Sequence, residues 1–358
     1  QRQMCIRDSN CGMSELDRYS RQMLLPELGI RGQERLLASS VTVVGCGALG
    51  SVIASTLVRA GVGRVRVVDR DYIELNNLQR QILFDEQDIA RGLPKAIAAA
   101  EKLRKVNSHV AIEPVVADVN PDNVERLIGD VDLVMDGTDN FEVRFLLNDA
   151  CVKHGVPWVY GGAIATYGMA RAILPHRTPC FRCMLTEIPA PGSTPTCDTV
   201  GVLSTAAHVV ASLQATEGLK ILLGRAGELH GQLIYVDVWA GTFERMDVGK
   251  AKGVCPVCDQ GQYEFLEARQ GTYLTSLCGR EAVQINVRGE TNVSFPALAK
   301  RLEPAGEVRY NDYMLRFRVD PDSERPYELT VFPDGRTIVK GTTDEGVART
   351  LYARYIGL

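Results

Sequence analysis

Four cysteines carry the plainest chemistry in this 358-residue chain. Cys180-x-x-Cys183 and Cys255-x-x-Cys258 are two pairs of the kind that each supply half of a tetrahedral thiolate site. A zinc ion held by four thiolates has no open position for a substrate, so the expected role is structural. A redox dithiol is the other use of such a pair. Neither pair opens a helix in a thioredoxin-like setting, and Pro256 favours a tight knuckle. A second constellation begins at residues 41–51, VTVVGCGALGS, where an apolar run meets Gly45-x-Gly47-x-x-Gly50. That spacing lets the backbone turn tightly and approach a phosphate at the start of the next helix, so it reports a phosphate and not a reaction.

Asp69 follows at the distance where a dinucleotide fold places the carboxylate that takes ribose hydroxyls. On the glycines and Asp69 alone, a nicotinamide or flavin enzyme and any other nucleotide binder both stay open. Past Asp69 come Asp71, Asn77, Arg80, Gln81 and Lys95. Two carboxylates, two cations and several amides exceed what a diphosphate linker needs and suit a triphosphate with magnesium. Asp139, in MDGTDN, is either a further carboxylate at the sheet edge or a helix N-terminal charge, with Thr138 and Asn140 as rival caps.

These residues need a scaffold, and the chain alternates strand and helix signals after Met13. Residues 21–38 look helical but are interrupted by Pro26 and Gly29. Strands are expected at 41–44, 64–69, 111–116 and 131–136, and helices at 50–60, 94–106 and around 121–128. That βαβα order, with nearly continuous Val/Ile/Leu strands, predicts an α/β Rossmann-like, doubly wound, mostly parallel sheet.

Composition excludes other classes. A hydrophobic content of 45% supports a full core, and a net charge of −4 gives no electrostatic reason to expect nucleic acid. The longest apolar stretch, 200–223, holds His208, Gln214, Glu217 and Lys220 and reads as a core helix ended by Gly224, so no membrane span is expected. Residues 1–12 lack periodicity and any secretory pattern. They read as a non-native leader, which leaves a cytoplasmic location.

Together, RYSRQ at 18–22, VVGCGALGS, the Asp69/Asp71 pair, NLQRQ at 77–81, Lys95, GTDN at 137–140 and the two cysteine pairs resemble the ThiF/MoeB/HesA family of bacterial adenylyltransferases, relatives of the ubiquitin-activating enzymes. The resemblance covers about 16–259. It implies ATP, Mg2+ and Zn2+, a homodimer, and a small ubiquitin-like sulfur-carrier protein ending in Gly-Gly whose terminal carboxylate is adenylated with release of pyrophosphate. A sulfur-donor enzyme is a further implied partner. The pathways served by such enzymes are molybdopterin, thiamine, tRNA thiolation and sulfur-containing amino-acid synthesis. The implied nucleotide set is Gly45, Gly47, Ala48, Asp69, Asp71, Asn77, Arg80, Gln81, Lys95, Asp139 and Asn140. Asp69 would serve the ribose, Asn77, Arg80 and Lys95 the phosphates, and Asp139 the magnesium. Arg21 would reach the ATP of the other subunit, and Cys197 matches a cysteine that can link to the carrier. Ala48 departs from the glycine common at that place, a change a helix start tolerates. A nicotinamide-dependent oxidoreductase and a non-catalytic nucleotide-binding scaffold remain as rivals.

Beyond the second cysteine pair the resemblance ends. Residues 264–358 are expected to form a small α+β domain with strand-like 283–289 and 314–319, a hairpin about 333–335 and a helix at 343–356 closed by Gly357. Cys278-Gly279-Arg280 lacks the setting of a rhodanese active-site loop. The run 327–341, YELTVFPDGRTIVKG, is expected either to offer a sheet edge for docking the carrier or a downstream enzyme, or to belong to a domain that merely covers part of the core.

Overall fold

The structure is a computed structural model that describes residues 16–189, 197–249, 254–267, 274–277, 282–285, 293–319 and 326–357. The expected leader and Cys278 lie outside those residues. Within the described residues the first unit is an eight-stranded sheet of β1 (Ser40–Val44), β2 (Arg64–Asp69), β3 (Ala111–Val116), β4 (Leu133–Asp136), β5 (Trp158–Ile164), β6 (Tyr167–Ile173), β7 (Leu233–Asp237) and β8 (Thr242–Met246), in the order β3-β2-β1-β4-β5-β6-β7-β8. Strands β3 to β5 in that order run parallel, whereas β5, β6, β7 and β8 pair antiparallel. The antiparallel half was not anticipated from the sequence.

Side-chain alternation along β1 sends Val41 and Val43 to one layer and Val44 to the other. Helices Ala48–Ala60, Lys95–Val106 and Ser204–Leu222 cover the first face, and Phe141–His154 with Val124–Ile128 covers the second. This is the double winding that buried β-branched strands require. β1 lies between β2 and β4, so the chain leaves it toward both sides of the sheet. That makes the carboxyl ends of β1 and β4 the switch point of the sheet, the place where open α/β sheets bind ligands.

The second unit is a six-stranded antiparallel sheet of β9 (Leu274–Leu277), β10 (Ala282–Ile285), β11 (Gly306–Tyr310), β12 (Leu315–Val319), β13 (Tyr327–Val331) and β14 (Thr337–Lys340), in the order β11-β12-β13-β14-β10-β9. One face, with Val283, Leu315, Phe317, Leu329 and Val339, packs on helices Phe295–Leu302 and Glu345–Tyr355. Two expectations change here. β13 and β14 are interior strands, each paired on both sides, so the hairpin offers no free edge; the edges are β11 and β9. Helix Glu264–Glu267, assigned from sequence to the second unit, packs on the first. Its Phe265 amide donates to Asp149 Oδ2 at 2.9 Å and its ring lies 4.8 Å from that of Phe145.

Candidate nucleotide and metal sites

The glycine turn is shaped by two steric demands and leaves one opening. Gly45 has φ +85°, and a Cβ there would stand 2.7 Å from the Gly137 carbonyl oxygen, so the β1 and β4 exits touch backbone to backbone. A Cβ on Gly50 would stand 1.8 Å from the Gly45 carbonyl oxygen, which fixes helix Ala48–Ala60 against the turn. Gly47 is different. A Cβ there would meet only Gln81 Nε2, at 3.8 Å, so packing among the described residues does not demand glycine and leaves this side of the turn open. Gln81 is itself buried, and among the described residues its Oε1 has no hydrogen-bond partner, a polar atom that a bound molecule could satisfy. Ala48 opens the helix, two residues before the expected start at Gly50, and its methyl is tolerated there.

Asp69 closes the other side. Its Oδ2 accepts from the Cys46 amide at 2.6 Å and its Oδ1 from the Asp71 amide at 2.7 Å. Burial pushes the carboxyl up, while Lys95 and the two amides draw it back toward the charged form. Lys95 Nζ sits 3.2 Å from Asp71 Oδ2, and its backbone amide donates to the Asp71 carbonyl at 2.9 Å. The segment after β2 and the start of helix Lys95–Val106 are therefore one rigid assembly.

Several of the expected residues also bond within the chain. Asn77 is buried and spent in a capping box, accepting from the Glu74 amide at 3.1 Å. Arg80 donates to the Asn76 carbonyl at 2.7 Å. Asn140 caps helix Phe141–His154, accepting from the Glu142 amide at 2.7 Å, and Thr138 bonds Asp136. The cap is thus taken, and Asp139 is left exposed with the guanidinium groups of Arg70 and Arg144 as its charged neighbours. The exposed Arg21 stands beside Gln22, whose side chain bonds the Ala60 carbonyl at 2.8 Å. Ala60 ends the thirteen-residue helix that begins at the glycine turn, so Arg21 lies about 20 Å from the turn of its own chain.

The sequence reading missed Arg144. Buried in helix Phe141–His154, it donates to Asp136 Oδ2 at 3.1 Å and to the Thr138 and Gly161 carbonyls at 2.6 and 3.1 Å, and so fixes the loop that presents Asp139. Cys197 opens the short helix Cys197–Val200. The chain that follows is tied to the end of β5, with Ala165 N–H donating to the Gly201 carbonyl and Leu203 N–H to the Ala165 carbonyl. That is the same sheet edge as the glycine turn.

The four sulfurs of Cys180, Cys183, Cys255 and Cys258 all lie within 4.8 Å of one another. Cys180 to Cys183 is 3.9 Å, Cys180 to Cys255 3.7 Å and Cys183 to Cys258 3.6 Å. A tetrahedron with bonds of about 2.3 Å has edges of about 3.8 Å, so the set can hold zinc. Contrary to the expected setting, Cys180 does cap a helix, the short Phe181–Met184. The gathering of all four sulfurs, not one pair, favours the metal over a dithiol. Burial, with Cys183 beside it, pushes the Cys180 thiol up to about 12, a penalty on the thiolate that a divalent cation offsets.

The ThiF family profile matches residues 19–257. The chain belongs to the ThiF family. It is an adenylyltransferase of the E1-like type, as its named relatives are. It is 40% identical over 344 residues to the sulfur carrier protein ThiS adenylyltransferase of Bacillus subtilis, a match that takes in 95% of this chain and 99% of that one, and so the second unit too. It is 42% identical over 254 residues to the SAMP-activating enzyme E1 of Haloferax volcanii, across 71% of this chain and 93% of that one. E. coli MccB, solved with ATP, superposes with a TM-score of 0.59 at 23% identity, covering 68% of this ThiF-family chain and 74% of MccB, a likeness in fold. Membership of the family sets aside the nicotinamide reading left open by the glycines and Asp69. Among the described residues no helix is long and apolar enough to cross a membrane.

Proposed function

We propose that this chain adenylates the C-terminal Gly-Gly carboxylate of a small ubiquitin-like sulfur carrier, with MgATP as co-substrate and pyrophosphate as product. One juxtaposition carries the reading: the open glycine turn, the amide-held Asp69 and the uncommitted Asp139 share one sheet edge, in a chain aligned almost end to end with a ThiS adenylyltransferase. The carrier carboxylate oxygen bonds to the α-phosphorus as the bond to the β-phosphate bridging oxygen breaks. An ionised carboxylate needs no general base, so the protein's task is to align two anions and neutralise charge. Asp69 would accept the ribose hydroxyls, the gap at Gly47 and the Gln81 amide would receive the phosphate region, and Lys95 and Arg80 would supply positive charge. Asp139 would hold Mg2+, an ion that neutralises charge on the departing pyrophosphate. Cys197 would attack the acyl-adenylate as a thiolate, forming a thioester to the carrier as the bond to AMP breaks and AMP leaves. Trp239, 81% exposed, and Phe243 place apolar surface on the β7–β8 hairpin, as suits a protein substrate. A carrier of the ThiS kind is the first to assay. ATP–pyrophosphate exchange should require it, and exchange that is absent with every such carrier would leave the scaffold reading in its place.

The position of Arg21 favours a homodimer with shared sites, because it is too far from its own glycine turn. Mixing inactive Arg21→Ala with inactive Asp139→Ala should restore part of the exchange activity, since one site of each hybrid then has both wild-type residues. Hybrids confirmed by native mass spectrometry that remain inactive would reject sharing.

A further inference from the structure

The second unit packs the sheet face opposite its helices on the segment after β2, where Ala282, Met314, Phe332 and Ile338 cluster with Tyr72 and polar side chains flank them. Alternation along β10, β12 and β14 puts Gln284, Arg316, Ile338 and Lys340 on the side opposite the helices, and that face meets residues 70–74 and 91–92 of the first unit. Gln284 Nε2 donates to Asp118 Oδ2 at 2.6 Å, and Asp118 Oδ1 accepts from Arg70 Nη1 at 3.0 Å. Arg316 and Lys340 lie over the Tyr72 ring at 4.3 and 4.9 Å, and Lys340 also pairs with Glu74. Asn311 Nδ2 donates to the Gly92 carbonyl at 3.0 Å, a few residues before Lys95.

At the centre of this contact is Arg336, in the turn between β13 and β14. It is buried, with its guanidinium 3.7 Å above the centroid of the Phe332 ring. Its Nη2 donates to the Arg70 carbonyl oxygen at 2.8 Å. That oxygen belongs to the Arg70–Asp71 peptide group, whose N–H is the one that donates to Asp69 Oδ1 at 2.7 Å. The other Asp69 oxygen takes the Cys46 amide of the glycine turn. A continuous chain of hydrogen bonds therefore runs from the second unit through one planar peptide to the Asp69 carboxylate. A cationic donor on the carbonyl polarises the peptide and makes its N–H a stronger donor at the far end.

We infer that Arg336 is a positioning residue for the nucleotide: it orients Asp69 through the Arg70–Asp71 peptide, and the second unit thereby serves ATP binding and not carrier docking. The inference rests on the proposed ribose role of Asp69. Its test is a direct titration of ATP into the full-length chain, which needs no carrier, so it reads out even if exchange fails in the parent protein. Arg336→Met should weaken ATP about tenfold and Arg336→Lys, which keeps the charge but not the planar fork, about threefold. The carrier KM should stay within about twofold in both. 2′-Deoxyadenosine triphosphate offers Asp69 one hydroxyl fewer, so its affinity should fall less than that of ATP and the preference for ATP should shrink. A folded Arg336→Met chain with parent-like ATP affinity overturns the inference, as does equal weakening of both nucleotides or a rise in the carrier KM alone. Should Arg336→Met be insoluble, parent-like ATP affinity in Arg336→Lys overturns it.

Discussion

Asp139→Asn should lower carrier-dependent ATP–pyrophosphate exchange by about 10²–10³-fold or more while leaving the melting temperature and metal content at parent values. The carboxylate is exposed, and the helix it precedes is capped by Asn140 and anchored by Arg144, so the substitution removes a charge without removing a structural bond. Lys95→Ala is expected to be as inactive but less clean. Lys95 is buried and paired with Asp71, which keeps Arg70 at 3.8 Å, so deleting it loosens the segment after β2 as well as removing a charge. Exchange kinetics measured beside a thermal melt separate the two cases. Parent-like exchange in Asp139→Asn would remove Asp139 from the site.

Loss of the thiolate cluster should act on stability first. The cluster joins the helix at 181–184 to the knuckle at 255–258, and both lean on helix Phe141–His154. Phe145 packs on Phe181 at 5.3 Å between ring centroids and on Phe265 at 4.8 Å. Phe141–His154 starts two residues after Asp139, so loosening these contacts frees the first half of the element that follows Asp139. Cys255→Ser, or exhaustive chelation, should lower the melting temperature by on the order of 10 °C, with activity falling only as the chain unfolds. Elemental analysis should find one zinc per chain, and an active chain with no metal and an unchanged melt would contradict this.

The parallel half of the first sheet was legible in the sequence because its strands are apolar runs between breakers; Arg64–Asp69 and Ala111–Val116 were placed at their observed bounds. The antiparallel half was not. β5 carries Gly161 and Gly162 and β8 reads TFERM, neither of which looks like a buried strand. The glycine motif was legible as a whole, but only geometry separates Gly45 and Gly50, which the backbone requires, from Gly47, where a Cβ would fit among the described residues. Arg144 and Arg336 were invisible because an arginine in a helix or a hairpin reads as solvated surface. Nothing in the spacing tells of Asp136 beneath the first or of the Arg70 carbonyl beside the second. The packing of the second sheet on the first unit was not legible either, since alternation alone does not tell a face that meets water from one that meets another unit.

The most direct test of the account uses one carrier in two forms, differing only at the terminal carboxylate. With ATP, Mg2+ and the intact Gly-Gly carrier, the purified chain should catalyse pyrophosphate exchange, and intact mass spectrometry should show the carrier with one adenylyl group added. With the same carrier amidated at its C-terminus, neither exchange nor the adduct should form. Equal exchange with both forms, or an adenylyl adduct on the amidated carrier, would contradict adenylation of the terminal carboxylate.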